Sequence, residues 1–346
     1  MPIITTTEEL AAFCARAAEQ PFVTVDTEFL RERTYWAQLC LIQIAVPEGA
    51  GEPEAVAVDP LAEGLDLTPF WELLADERVV KVLHAGRQDL EIFWVQGKVV
   101  PRPLFDTQIA AMVCGYGEQV GYDTLVRKIT GRSIDKSSRF TDWSRRPLTE
   151  EQIAYALADV THLRDVYLAL SRQLAESGRA AWVEEELAQL ADPRSYVVDP
   201  EEAWTRIRTR SQSGEFLAVV RELARFREEY ARRRDIPRNR VFKDDALLEI
   251  ASSRPRNARE LSRSRLLLRD ARKGEIAEGI LAAVAAGLAC PPDKRPRVES
   301  APQRGPKQEA LADLLRVLLK TKAAEAGVAP RLIASAADLD AMAAGA

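Results

Sequence analysis

FVTVDTE, residues 22–28, runs as an apolar, β-branched strand up to Val25 and then places two carboxylates, Asp26 and Glu28, either side of Thr27. Alternation along a strand sends residues two apart to the same face, so the two acids stand side by side at the strand's end. Adjacent carboxylates repel, and burying them together is costly without a cation. Taken alone, the pair has a plainer account as solvated acids on a strand edge. What the chain brings up beside them decides between the two.

Phe22–Asp26 is followed by two further strand-like runs, Leu39–Val46 (LCLIQIAV) and Ala55–Val58 (AVAV). A short helix around Pro69–Ala75 comes next, then a strand Val79–His84 (VVKVLH), a helix Gln88–Gln96, a short strand Leu104–Asp106 and a helix through Ala111. Strands first and strand–helix units later predict an α/β domain, a mixed β-sheet flanked by helices. After Thr149 the pattern is helical with no strand. Two stretches rich in proline and charge, Ala191–Pro200 and Cys290–Pro306, read as linkers. They divide the chain into modules 1–190, 203–290 and 307–346, the latter two all-α.

Composition narrows the chemistry. The 346 residues are 47% hydrophobic and 29% charged, as in an ordinary folded protein of more than one domain. No apolar run approaches the roughly 18 residues that span a bilayer, and the first residues show no secretory signal pattern. The four cysteines are widely spaced without a CxxC pair, which predicts reduced thiols and a cytoplasmic protein. His84 and His162 are the only histidines, too few and too isolated for a zinc site or a Ser-His-Asp triad. Any hydrolysis therefore falls to carboxylates. Net charge is divided: residues 1–200 hold 19 Lys and Arg against 32 Asp and Glu, a net −13, whereas residues 201–346 hold 29 against 21, a net +8. An acidic module is joined to a basic one. Two near-motifs carry nothing: the glycines of 115–121 miss the GxGxxG spacing, and 131–137 lacks the glycine before lysine of a P-loop.

Three more residues extend the acidic set. Asp89 lies at the start of a helix straight after the strand ending at His84, a routine place for a helix-start acid. Tyr155 and Asp159, four apart, share one face of a helix opened by Thr149-Glu150-Glu151-Gln152, a capping-box pattern. Ile153, Val160, Leu163 and Leu170 give that helix an apolar face. No one element is decisive. Their order is: D-x-E on a strand, an Asp after a later strand, then YxxxD on a helix resembles the tyrosine subgroup of the DEDD 3′→5′ exonucleases, the ribonuclease D family in particular. The resemblance also takes in Phe29-Leu30-Arg31-Glu32-Arg33-Thr34-Tyr35, Leu41-Ile42-Gln43, His84-Ala85-Gly86-Arg87-Gln88-Asp89, Phe105-Asp106-Thr107, Gly121-Tyr122, Lys136-Ser137, Asp142-Trp143 and Arg146-Pro147-Leu148, all in order through the first module.

The family implies an RNase H-like exonuclease domain with catalytic residues Asp26, Glu28, Asp89, Tyr155 and Asp159. Oxygen-only donors suit Mg²⁺ or Mn²⁺ rather than zinc, and two such ions about 4 Å apart clamp the attacking and leaving oxygens of an in-line displacement at phosphorus. By resemblance Asp26, Glu28, Asp89 and Asp159 hold them. Tyr155 orients the attacking water or serves as its general base, though a reference pKa of about 10 speaks against proton abstraction. Expected products are nucleoside 5′-monophosphates from a free RNA 3′ end, tRNA precursors and other structured RNAs being the family's substrates. Thr27, Phe29, Leu30, His84, Lys136 and Arg146 are candidate substrate contacts, and Gln43 and Asp106 candidate supports behind the acids.

The stretches Leu223–Arg227, Arg238–Phe242 and Asp245–Leu247 resemble an HRDC domain, a helical nucleic-acid-binding module. Arginines gather at 232–234, 238, 240, 254, 256, 259, 263 and 265, and the functional reading is phosphate binding. Pairing with Glu222, Glu228 and Glu229 is the alternative. Residues 307–346, with Leu311, Leu314, Leu315 and Leu318 on an amphipathic helix, resemble the opening of a second such module. The expected protein is a monomer with RNA as its partner and no membrane association. A DNA exonuclease on the same fold and an inactive RNA-binding scaffold are the competing readings.

Overall fold

A computed structural model describes residues 3–135, 141–211, 213–297 and 305–345. Six strands, β1 (Ile3–Ile4), β2 (Phe22–Leu30), β3 (Gln38–Ala45), β4 (Ala55–Val58), β5 (Val80–Leu83) and β6 (Leu104–Asp106), form one sheet in the order β1-β4-β3-β2-β5-β6. β3 runs antiparallel to β4, while β5 runs parallel to both β2 and β6, so the sheet is mixed, as the strand pattern predicts. β3 is central, and Leu39 to Ala45 are buried on both of its faces. β1 escapes a reading by periodicity because two residues have no period. β2 continues four residues beyond Asp26.

The first half of the chain supplies helices α1 (Thr7–Ala17), α2 (Thr68–Ala75), α3 (Arg87–Ile92), α4 (Thr107–Val113), α5 (Tyr122–Thr130), α6 (Glu150–Ser177) and α7 (Ala180–Leu190). α6 starts where the capping box predicts: Gln152 N–H donates to Thr149 Oγ1 at 3.2 Å and Thr149 N–H to Gln152 Oε1 at 2.9 Å. Its apolar face, Ile153, Ala156, Leu157, Val160, Leu163, Val166 and Leu170, is buried. One bond sets its register on the sheet, from Thr24 Oγ1 of β2 to the Val160 carbonyl at 2.7 Å.

Beyond the linker come α8 (Gly214–Arg234), α9 (Arg238–Val241), α10 (Asp244–Ser253), α11 (Ala258–Leu261), α12 (Gly274–Ala289), α13 (Pro306–Ala326) and α14 (Ala336–Ala344), with no strand among the described residues after Asp106. Two compact units result: residues 1–30, 39–196 and 302–346 in the first, residues 31–38 and 197–301 in the second. The C-terminal helices thus fold with the sheet, where Ala329 N–H donates to the Met112 carbonyl at 3.0 Å and Arg179 to the Ala326 carbonyl at 2.7 Å. Of the leucines expected to pack along α13, Leu311, Leu314 and Leu318 face outward, Leu314 being 68% exposed, and Leu315 is half-buried; the helix instead buries the small Ala312 and Ala323.

The second unit is built on α8. Leu217, Val220 and Leu223 are fully buried, with Phe226 and Tyr230 against the same core. A Cβ at Gly287 of α12 would lie 2.5 Å from the Val219 Cα, backbone that cannot swing aside. Gly287→Ala should cost roughly 2 kcal/mol by forcing the two helices apart, read as a lower midpoint in chemical unfolding of the full chain.

Candidate active site

Alternation along β2 puts Thr24, Asp26 and Glu28 on one face, and the Thr24–Val160 bond holds α6 against that face. Asp159, one residue before Val160, is thereby brought to Asp26. Tyr155, one turn earlier, donates its hydroxyl hydrogen to the Asp159 carboxylate. Tyr122, at the start of α5, fixes the same residue from the other side by donating to the Asp159 carbonyl. From α3, Asp89 accepts a hydrogen bond from Thr27 on β2. A cleft of about 210 Å³ opens between these elements, lined by Asp26, His84, Tyr122, Asp123, Tyr155 and Asp159 among others.

The electrostatics show how closely the acids are gathered. Burial and the charges of Asp89, Asp159 and Glu28 hold the Asp26 carboxyl well above the usual carboxylate range. Burial likewise pushes Asp89 up to about 6, against the hydrogen bond from Thr27. Burial, then Asp159, Glu28 and Asp26, raise the Tyr155 phenol far above its ordinary value, so it stays a hydrogen-bond donor at any physiological pH. The four acids and Tyr155 therefore share one electrostatic neighbourhood. Among the described residues no three acidic, histidine or cysteine side chains are drawn tightly enough to enclose an ion. What the protein supplies is a concentration of carboxylate oxygens whose mutual repulsion a divalent cation would relieve, and this all-oxygen donor set suits Mg²⁺ or Mn²⁺.

The candidate substrate contacts fare differently. His84 lines the cleft, with Nδ1 2.9 Å from Thr107 Oγ1, a further bond to the Val120 backbone and its ring against Tyr122. Burial keeps its pKa below the ordinary histidine value. With its polar atoms held by the protein, it offers a nucleotide chiefly its ring face. Phe29 and Leu30 are half-buried at the end of β2, and Leu30 also packs against the Cys40, Leu41 and Trp143 cluster. Thr27 is buried and turned to Asp89, so it braces an acid rather than meeting substrate. Lys136 lies outside the described residues.

Arg146 is a correction. Its Nε and one terminal nitrogen grip Asp59 at 2.6 Å each, and the remaining N–H groups go to the carbonyls of Cys40, Trp143 and Arg145. All five donors are committed, which leaves none for a phosphate. Of the expected supports, Asp106 accepts from the backbone N–H of Ala85 (3.2 Å), Gly86 (2.8 Å) and Gln108 (2.8 Å), tying the turn before Asp89 to the start of α4. Gln43 is fully buried, and neither amide atom has a hydrogen-bond partner among the described residues, so it braces none of the described acids. Tyr122 and Asp123 had no assigned part in the sequence. The trace there was Gly121-Tyr122, one of the motifs that carry the family resemblance, with no role attached to it.

In the second unit, many expected phosphate contacts are internally paired. Arg234 holds Glu275 at 2.8 Å, Arg233 the same carboxylate, Arg227 holds Asp244 at 2.7 Å, and Arg238 and Arg254 hold Glu228 and Glu215. Arg240, Arg259 and Arg269 are exposed and have no carboxylate partner among the described residues.

A mixed sheet with acids gathered from a strand, Asp26 and Glu28 on β2, and from helices, Asp89 on α3 and Asp159 on α6, followed by a helical module, is the arrangement of a two-domain 3′-5′ exonuclease. Family comparison agrees: a 3′-5′ exonuclease domain is matched over residues 1–175 and an HRDC domain over residues 216–284. The chain belongs to the ribonuclease D family. It is 62% identical over 342 residues to ribonuclease D of Jannaschia sp. (strain CCS1), covering 99% of this chain and 88% of that one. It is 49% identical to that of Nitrobacter hamburgensis, again covering 99% and 88%. The crystal structure of Escherichia coli RNase D, described as an exoribonuclease involved in structured RNA processing, superposes with a TM-score of 0.85 at 32% identity, covering 98% of this chain and 88% of that one. The protein is accordingly a 3′-5′ exoribonuclease, and its fold implies dependence on divalent metal. No helix among the described residues is long and apolar enough to cross a membrane.

Proposed function

We propose that the chain trims 3′ extensions from structured RNAs, tRNA precursors among them, as a monomer in the cytoplasm, releasing nucleoside 5′-monophosphates. The observation that carries the reading is the gathering of Glu28, Asp89 and Asp159 about Asp26, with Asp26, Tyr155 and Asp159 lining one cleft and the Tyr155 hydroxyl bonded to Asp159. These four carboxylates would hold two Mg²⁺ or Mn²⁺ ions, which when bound supply charge neutralisation and Lewis acidity at the scissile phosphate. Tyr155 donates a hydrogen bond and so orients rather than deprotonates the attacking water. The His84 and Phe29 rings flank the terminal nucleoside. The exposed arginines of the second unit that have no carboxylate partner among the described residues, Arg240, Arg259 and Arg269, contact backbone phosphates. Four free thiols suit a reducing compartment.

The test is digestion of a 5′-labelled single-stranded RNA, the matched DNA and a tRNA with a 3′ extension, each with Mg²⁺, Mn²⁺ or EDTA. Metal-dependent shortening of RNA from the 3′ end that pauses at the tRNA body is expected. Equal or faster shortening of DNA would move the substrate class, and no shortening in either metal would sink the reading.

A further inference from the structure

Two kinds of acid face the candidate active-site cleft. Asp26 and Asp159 line it with Tyr155, and the charges that bear most on Asp26 are those of Asp89, Asp159 and Glu28. Asp123 lines the same cleft from the first turn of α5. Its charge acts on His84, where burial holds the pKa down and Asp106 and then Asp123 oppose it. Tyr122 connects the two ends: its hydroxyl donates to the Asp159 carbonyl, and its ring centre lies 5.2 Å from that of His84. Asp123, the next residue, therefore starts about one tyrosine's length from Asp159. That is the scale on which a nucleotide separates its 5′-phosphate from its ribose hydroxyls. All of these residues belong to the first compact unit.

Gly121 keeps the Asp123 carboxylate within reach of the cleft, which it also lines. Its φ of −72° is open to any residue, so the backbone does not ask for glycine here. A Cβ at this position would lie 3.3 Å from Asp123 Oδ1, and a larger side chain would press against the carboxylate. Asp123 itself is half-buried. An acid that holds no metal repels every phosphate that enters such a site, unless it accepts a hydrogen bond from the substrate. An RNA end offers two sorts of donor, base N–H groups and ribose hydroxyls. The base changes with each nucleotide removed, and uracil has no exocyclic amino group. The 2′-hydroxyl is the same at every step and absent from DNA.

We propose that Asp123 is a specificity-determining residue of the exonuclease reaction, its carboxylate accepting a hydrogen bond from the 2′-hydroxyl of the 3′-terminal ribose. The proposal rests on the reading of this cleft as the seat of that nucleotide. It assigns the choice of RNA over DNA to a residue of α5, apart from the acids that would hold metal and act on either sugar.

The experiment measures kcat/KM for the first cleavage, by the full chain in Mg²⁺, of paired 5′-labelled RNAs that differ only in the sugar of the last nucleotide. One ends in ribose and the other in 2′-deoxyribose, and each pair is made with all four terminal bases. The wild type should favour the ribose end on the order of tenfold, as the loss of a charge-assisted hydrogen bond implies. Asp123→Ala should lose about that factor on the ribose end and nothing on the 2′-deoxy end, whatever the base. Asp123→Asn, which keeps an oxygen acceptor without the charge, should fall between the two on the ribose end alone. Should Asp123→Ala fail to fold, the Asn variant decides by the same comparison. An equal loss on both ends, a loss that follows the terminal base, or a wild type indifferent to the terminal 2′-hydroxyl would each overturn the proposal. Wild-type shortening of RNA by Asp26→Asn would instead place the active site elsewhere and sink the reading of the cleft on which the proposal stands.

Discussion

Asp26→Asn should abolish 3′ shortening of RNA, by at least on the order of 10³-fold, and at the same time stabilise the metal-free protein. Loss of activity follows from position: Asp26 is the acid that feels all three others, Asp89, Asp159 and Glu28. The gain in stability follows from sign. Burial and those neighbours raise the Asp26 carboxyl in the fold above its unfolded value of about 3.9. The folded state therefore binds the proton more tightly, and this contribution is present at low pH and lost as pH rises through the folded value. Asp89, pushed up to about 6, adds a loss of the same sign that is complete somewhat above that pH. In EDTA the wild type should weaken from about pH 4 upward more than Asp26→Asn does, so that the variant is the more stable of the two at neutral pH. Mg²⁺ or Mn²⁺ should stabilise the wild type strongly and the variant little. Thermal unfolding across pH, with and without metal, reads all of this. An Asp26→Asn protein less stable than the wild type in EDTA would show that the acids are not the repelling cluster described here.

Tyr155→Phe should lower kcat on the order of 10²-fold with little change in KM if, as proposed, its hydroxyl orients the nucleophile rather than binding RNA. The phenol cannot be the base that titrates in the working pH range, since burial and the charges of Asp159, Glu28 and Asp26 hold it protonated. The shape of the pH–rate profile should therefore survive the substitution and only its height fall. A variant that loses the acidic or basic limb of the profile would restore Tyr155 to the part of general base. The ring should keep its place against Trp143, 6.1 Å between centroids, so the melting temperature should barely move.

How much of this was legible in the chain depends on the range over which each feature is encoded. The strand at FVTVD, the near-continuous apolar run of β3, the capping box at Thr149 and the Tyr155–Asp159 spacing are written within a few residues of one another, because strand alternation and helical periodicity are local geometry. The order of the acids along the chain was enough to name the family, and with it five candidate residues, of which Asp26, Tyr155 and Asp159 line one cleft while Glu28 and Asp89 lie within electrostatic reach of Asp26. Partner choice is not local. Arg146 looked available for phosphate until Asp59 and three carbonyls took all its donors. Arg233 and Arg234 read as a basic patch, but both are paired to the one carboxylate of Glu275, some 40 residues on, which halves the charge they offer. Leu311, Leu314 and Leu318, spaced to pack along α13, face outward because the fold met that helix at its alanines. The anchoring of Tyr35 and Trp36 on Asp235 joins residues about 200 apart in sequence, where no spacing rule reaches. Residue type and local period by themselves determined the strands other than β1 and the main helices, and the family resemblance supplied the candidate acids; which charges remain free and which loop is held were decided only by tertiary structure, because each depends on what distant segment the closed chain delivers within hydrogen-bond reach.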